Sequence, residues 1–353
     1  MIIDIHTHCR DGKWKSKETI EHALYVACNA GYSALCDMPN NNPPTITKKL
    51  VRERLRIAER AIRKLSEKEK CDVVYGLYVG LTSNPRQIAN AVDIYDEFRL
   101  KDGQQVGVVG LKLFAGESVG DLAVKTSIGQ EKVYQTLANK RYRGLLVVHC
   151  EEESYMKPDR WNPNKSMSHC NARPEIAESF SVGQQIYLAD RFNFRGHLHI
   201  AHVSTKASVE LIDNSVDKVL VTCGVTPHHL LLTSEMMAGE DGILYKVNPP
   251  LRNHTMMSLL RQGKIDIIES DHAPHTLEDK LKRHMSGLPG IPIMAMMQGI
   301  LKKEGFSDNE IMDLMFNTPN DLLGLNLRPR RGVRPSIELF KEYPINPYAH
   351  LKL

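Results

Sequence analysis

The chain carries two histidines two residues apart, His6 and His8, where the apolar opening MIIDI ends. In a strand, residues i and i+2 share a face, and their Cα atoms lie roughly 6.5 Å apart. Two imidazole nitrogens at that spacing can reach one ion at about 2.0–2.1 Å. Neutral imidazole is a borderline-soft ligand, so zinc is the ion such a pair predicts. Related residue types close other apolar runs: Asp37-Met38-Pro39-Asn40 after SALC, Lys112 within GLKLF, His149 in LLVVHC, His202 in HLHIAHV and Asp271 after IDIIES. One histidine at a strand end is most simply packing or a cap. Histidine or aspartate, the ligand types, on five of eight runs call for a common rim.

Such a rim needs elements whose C-terminal ends meet. Eight short runs rich in β-branched residues read as strands, at 2–6, 33–38, 72–79, 107–114, 145–150, 197–203, 218–223 and 265–270. Amphipathic segments at 17–30, 47–69, 130–140, 175–190 and 206–214 lie between most of them. Nearly continuous apolar character suits parallel strands covered by helices. Eight such units predict a (β/α)8 barrel over 1–325, with its active site at the C-terminal mouth. A doubly wound open sheet is the alternative, but it calls for a Gly-rich phosphate turn after an early strand, and none is present. The stretch 326–353, rich in Pro and Arg, reads as a tail wrapping the barrel.

With 353 residues, 42% hydrophobic and 25% charged, the chain can bury a sizeable core and is neither disordered nor fibrous. Net charge is only +4, and the densest basic stretch, 48–70, alternates signs over helically spaced apolar residues. It predicts a solvated helix face and no nucleic-acid or membrane surface. No apolar run approaches the roughly 20 residues of a membrane span, and the opening lacks a signal-peptide pattern. The seven cysteines, Cys9, Cys28, Cys36, Cys71, Cys150, Cys170 and Cys223, form no C-x-x-C pair. Reduced, buried thiols in a cytoplasmic protein are the expectation.

Taken together, these segments resemble the dihydroorotases of the amidohydrolase superfamily over most of the chain. DIHTHCRDG resembles the D-x-H-x-H-x-R opening and DMPNNNPPT the M-P-N-T-x-P-P turn. GLKLF resembles the segment bearing a carboxylated lysine, closest in GLKLFAGES to the dihydroorotase domain of the animal multifunctional pyrimidine-synthesis protein. VVHCEEE, IAHVST, VTPHHLLL, KVNPPLR and SDHAPHT complete the set. The resemblance implies reversible interconversion of dihydroorotate and N-carbamoyl-L-aspartate in pyrimidine biosynthesis. It implies two zinc ions, one on His6, His8 and Asp271, the other on His149 and His202, bridged by carboxylated Lys112 and a hydroxide nucleophile. Asp271 would also be the catalytic acid/base. His8, Arg10, Asn40, Asn248 and His275 would contact substrate, with backbone from Pro289 and Gly290 in the GLPGIP loop. His228 and His229 would be structural or support the ligands, and Arg173 and Glu175 a packing ion pair. A homodimer, and association with aspartate transcarbamoylase, are the assemblies it suggests.

Departures and rivals also follow from the residues. Asp11-Gly12 stand where the family has Glu-Pro, Pro292 where many relatives have Glu, and the closing G-x-x-A-D-L pattern is not recognisable in RGVRPSIELF. With the first strand at the start of the chain, any small β-subdomain is expected to be vestigial. The rival functions are a dihydropyrimidinase, hydantoinase or allantoinase, sharing the metals but not the carboxylate clamp, and a non-catalytic dihydroorotase-like scaffold, expected to have lost ligands.

Overall fold

The structure, a computed structural model, describes residues 2–69, 72–118, 120–215, 217, 219–330 and 337–351. Eight strands form one parallel sheet in sequence order: β1 (Ile2–Thr7), β2 (Tyr32–Asp37), β3 (Val74–Gly80), β4 (Val106–Ala115), β5 (Leu145–Cys150), β6 (His197–Ile200), β7 (Val221–Val225) and β8 (Ile267–Ile268). The last strand meets the first through the segment after β8. Thr7 bridges His272 in parallel, and the His8 N–H donates to the His272 carbonyl at 2.7 Å. This is the expected (β/α)8 barrel.

Burial follows from that closure. Every residue of β1, β2, β3 and β5 is buried, because one face looks into the barrel and the other is covered by helices. Inside, Ile3, Ile5, Ala34, Cys36, Tyr78 and Val147 pack together below the mouth. Outside, the helix Lys48–Glu69 lays Val51, Leu55, Ala58, Ile62 and Leu65 on the sheet and leaves Arg52, Glu53, Arg56 and Glu59 to solvent. That is the three-to-four spacing read from the sequence. Thr19, Asn84, Thr126 and Thr205 cap the helices that follow them, each accepting a backbone N–H.

Three expectations change. The run at 197–203 stops being strand at Ile200, and 265–270 keeps only Ile267–Ile268. The strand expected at 218–223 runs Val221–Val225, with Lys218 outside the described residues. Nor are all the cysteines reduced. Cys9, Cys36, Cys150, Cys170 and Cys223 are free, but Cys28 is disulfide-bonded; the expectation for Cys71 lies outside the described residues. Part of the tail motif, 331–336, also lies outside them. The described tail packs down: Phe340, Tyr343 and Tyr348 are buried.

Candidate active site

The histidine and aspartate ligand candidates sit at or just past strand ends, while Lys112 lies within β4. In β1, Asp4 pairs with Leu35 and Thr7 with Asp37, three steps against two. Such a bulge re-aims a side chain, here bringing His6 over the interior that Ile3 and Ile5 fill. Asp4 fixes the turn by accepting the N–H groups of His6 and Ser270 at 3.2 and 3.1 Å. Asp37 does the same for the next segment. Its carboxylate accepts the Cys9 N–H at 2.9 Å and takes Arg54, which donates on to the Arg10 carbonyl at 2.9 Å. His202 and Asp271 lie just past their strands in the left-handed region, at φ 41° and 45°. Side chains other than glycine or asparagine hold that conformation only where neighbours enforce it.

These turns bring distant residues together. His8 Nε2 lies 3.0 Å and His6 Nε2 3.5 Å from the same Asp271 oxygen, and all three residues are buried. His149 Nδ1 faces His202 Nε2 at 3.1 Å. The His6 and His202 rings are 5.0 Å apart by centroid, so the two groups form one cluster. Lys112, fully buried on β4, has no hydrogen-bond partner at Nζ among the described residues. The nitrogen stands 5.0 Å from the Phe114 ring centroid, and that ring lies 6.2 Å from His149.

The donors fit metal ions. Burial pushes His8 down to about 4 and lowers His149 and His202, so these imidazoles are neutral near pH 7 and offer lone pairs. Burial works to raise the Asp271 carboxyl, but the His8 hydrogen bond and the nearby His6 hold it below the usual range. Burial also brings the Lys112 amine down to about 8. Two neutral imidazoles facing at 3.1 Å, beside a buried amine with nothing to bond, are donors that an ion would complete.

Around this cluster lies a cleft of about 360 Å³, lined also by Arg10, Asn40, Phe114, Ser118, Asn248 and Ser286. Arg10 is 1% exposed, and its Nε and Nη1 have no partner. Its Nη2 lies 3.5 Å from His275 Nε2, and burial lowers the guanidinium to about 10. A buried cation that forms no ion pair among the described residues is costly, which makes this a candidate receptor for an anion. The Asn40 carbonyl oxygen faces His8 Nδ1 at 2.8 Å. Asn248 Oδ1 accepts from Ser286 Oγ at 3.1 Å and faces His169 Nε2 at 3.0 Å. His275 stands behind the lining, with Nε2 3.0 Å from the Ser286 carbonyl. Pro289 and Gly290 are not on the cleft wall. The Gly290 N–H is held by His272 Nδ1 at 3.1 Å, and Ser286 and Gly287 form that wall instead.

Sequence reasoning missed the carboxylates behind the ligands. Glu151 lies 3.1 Å from His149 Nε2 and pairs with Arg173. Arg173 therefore does not pair with Glu175, which is exposed at the start of its helix and needs no buried cation. Glu269, fully buried, faces His6 Nδ1 at 3.4 Å and His199 Nε2 at 3.6 Å. The adjacency of Glu151 to His149 and of Glu269 to Asp271 in sequence was the available signal. His229 is structural, set between Thr226 Oγ1 and the Pro249 carbonyl at 2.9 and 3.2 Å.

The eight-stranded parallel barrel is a fold also seen in solved structures. The fold matches L-hydantoinase (dihydropyrimidinase) from Arthrobacter aurescens with a TM-score of 0.75 at 24% identity, over 92% of this chain and 70% of that one. It matches dihydroorotase from Campylobacter jejuni with a TM-score of 0.67 at 18% identity, over 94% and 85%. The sequence points more narrowly. It is 31% identical over 299 residues to a dihydroorotase of Methanosphaera stadtmanae, covering 82% of this chain and 62% of the relative. It is 33% identical over 288 residues to a dihydroorotase of Staphylococcus epidermidis, covering 79% and 61%. A dihydroorotase of Bacillus cereus aligns over 99% of the chain and 79% of its own length at 29% identity. The chain thus spans about three-fifths of the first two relatives. No family model matches it.

Proposed function

We propose that the protein is a dihydroorotase, a metal-dependent cyclic amide hydrolase interconverting dihydroorotate and N-carbamoyl-L-aspartate. The observation that carries this reading is the buried, anion-seeking Arg10 in a single cleft with His6, His8, His149, His202 and Asp271. His6, His8 and Asp271 would hold one zinc and His149 and His202 a second. Lys112 would complete the set as a carbamate, its neutral amine adding carbon dioxide and losing a proton to become an anionic group with two ligand oxygens. Bound there, the metal pair would lower the pKa of water and polarise the amide carbonyl.

The chain's own residues supply the rest. Arg10 would bind the substrate carboxylate, helped by Asn40 and by His275 at its far side. With its Oδ1 engaged by Ser286 and His169, Asn248 has an amide NH2 for the ring's carbonyl edge. Asp271 would take the proton of the attacking water and deliver it to the ring nitrogen as the C–N bond breaks. Ring closure would use the same path in reverse. Residues 1–325 would form the catalytic barrel and 326–353 its wrapping tail.

Zinc content measured with absorbance-monitored opening of dihydroorotate tests the reading. Stoichiometric zinc and turnover of dihydroorotate well above that of hydantoin, dihydrouracil or allantoin are expected. A preference for the uncharged rings would give the function to the hydantoinase-type alternative. Absence of zinc uptake and of turnover would revive the scaffold.

A further inference from the structure

Glu269 is the last residue before the Ser270-Asp271 turn and is fully buried at the centre of the barrel mouth. Its two oxygens go to different strands. Oε1 accepts the His202 backbone N–H at 2.6 Å, at the residue whose φ is 41°. Oε2 faces His6 Nδ1 at 3.4 Å, with His199 Nε2 at 3.6 Å on the other side. The barrel keeps room for it. A Cβ on Gly224, in β7, would stand 2.6 Å from the Glu269 Cδ, so no larger residue fits there without moving the carboxylate.

A carboxylate only accepts hydrogen bonds. Neither His6 Nδ1 nor Glu269 Oε2 makes a hydrogen bond among the described residues, but the carboxylate charge at 3.4 Å favours the tautomer protonated at Nδ1, with the Nε2 lone pair directed at Asp271 and His8. Through its other oxygen it holds the turn that aims His202 at His149. We propose that Glu269 is a positioning residue that couples the two halves of the metal cluster, setting the His6 tautomer and the His202 backbone with one side chain. This rests on the metal reading of the cluster given above.

Glutamine is the discriminating replacement, because it has one acceptor where the site needs two. If its oxygen stays on the His202 N–H, its NH2 faces His6 Nδ1 and drives the proton to Nε2, blocking that ligand. If it turns round, its NH2 opposes the His202 N–H. Outer partners of metal-binding histidines are commonly worth about 10–100-fold in metal affinity.

The test is zinc competition against a chromophoric chelator on the full chain, with 15N correlation of the histidine rings in metal-free protein. E269Q is expected to weaken zinc binding by about 10–100-fold at the half that its amide NH2 faces, moving the His6 ring proton toward Nε2 when that half is His6. Gly224→Ala, which displaces the whole carboxylate without altering it, is expected to weaken both zinc equilibria. The double variant should lose little more than Gly224→Ala alone. Wild-type affinity at both ions in folded E269Q, or at either ion in folded Gly224→Ala, overturns the coupling. Wild-type protein that takes up no zinc overturns the metal reading itself, so the two failures are told apart.

Discussion

Asp271 is asked to be both ligand and proton carrier, and its surroundings show how one carboxylate can do both. Ionisation is secured against burial by the His8 hydrogen bond and by His6, while the left-handed backbone lifts the side chain out of the strand plane into the cleft. Asparagine keeps the shape and one ligand oxygen but cannot take up a proton. Asp271→Asn should therefore lower kcat by about 10²–10⁴-fold while metal analysis still finds bound zinc. Near-wild-type turnover would remove the acid/base role. Asp271 was legible because its residue type is rare at the end of an apolar run. Glu269 and Glu151 were less so, despite lying two residues from Asp271 and His149: a glutamate beside a strand ordinarily faces water, and only closure of the barrel buries these two against imidazoles. The placement of Arg10 was legible as a type but not as a strained, buried turn, since its φ of 48° depends on Asp37 and Arg54 from other elements.

At the scale of elements, apolar pattern gave the number, order and direction of the strands, because each strand is covered on both faces and shows it. It overran their ends at β6 and β8. Residues 201–203 and 269–271 remain buried although they are no longer strand, so hydrophobicity continues where the ladder stops. The backbone leaves the sheet there to aim ligands, and left-handed turns leave no mark in a hydrophobic pattern. Gly116, at the exit of β4, shows how tightly the exits are packed. At φ 135° it lies against the Glu151 carbonyl, where an added Cβ would overlap the oxygen. Alanine there must both strain the backbone and push away the segment that carries Glu151 to His149. Gly116→Ala is expected to destabilise the barrel by about 2–4 kcal/mol, read as a lower denaturant midpoint. An unchanged midpoint would mean that the β4 and β5 exits yield freely.

The whole molecule is held shut by contacts that no local pattern displays. His272, next to Asp271, closes the barrel against β1, and its ring links the entry of the helix Ile291–Lys303 to Glu18. Glu18 also lies 2.7 Å from His22 Nδ1, and His22 Nε2 reaches Glu342 in the tail at 3.3 Å. Tyr343 OH stands 3.5 Å from His272 Nε2, so the tail is fastened to the same network that supports the cleft. The network fixes a pH window. The Glu18 hydrogen bond raises the His22 imidazole above its ordinary 6.5, so its stabilisation is complete below about 6.5 and is lost as pH rises through the higher folded value. Burial opposes ionisation of Glu18, but His22 and His272 hold it down to about 2 from its ordinary 4.5. Its contribution is therefore present above about 4.5 and disappears as pH falls toward about 2. Tail docking should be firmest between about 4.5 and 6.5. The His22 side chain is 33% exposed, so solvent screening leaves it about 0.5–1 kcal/mol. Hydrogen exchange in 337–351, corrected for the intrinsic effect of pH, should show protection falling as pH rises above about 6.5 in wild-type protein. In His22→Gln that alkaline decline should be absent, and a decline of equal size in the variant would place the switch elsewhere.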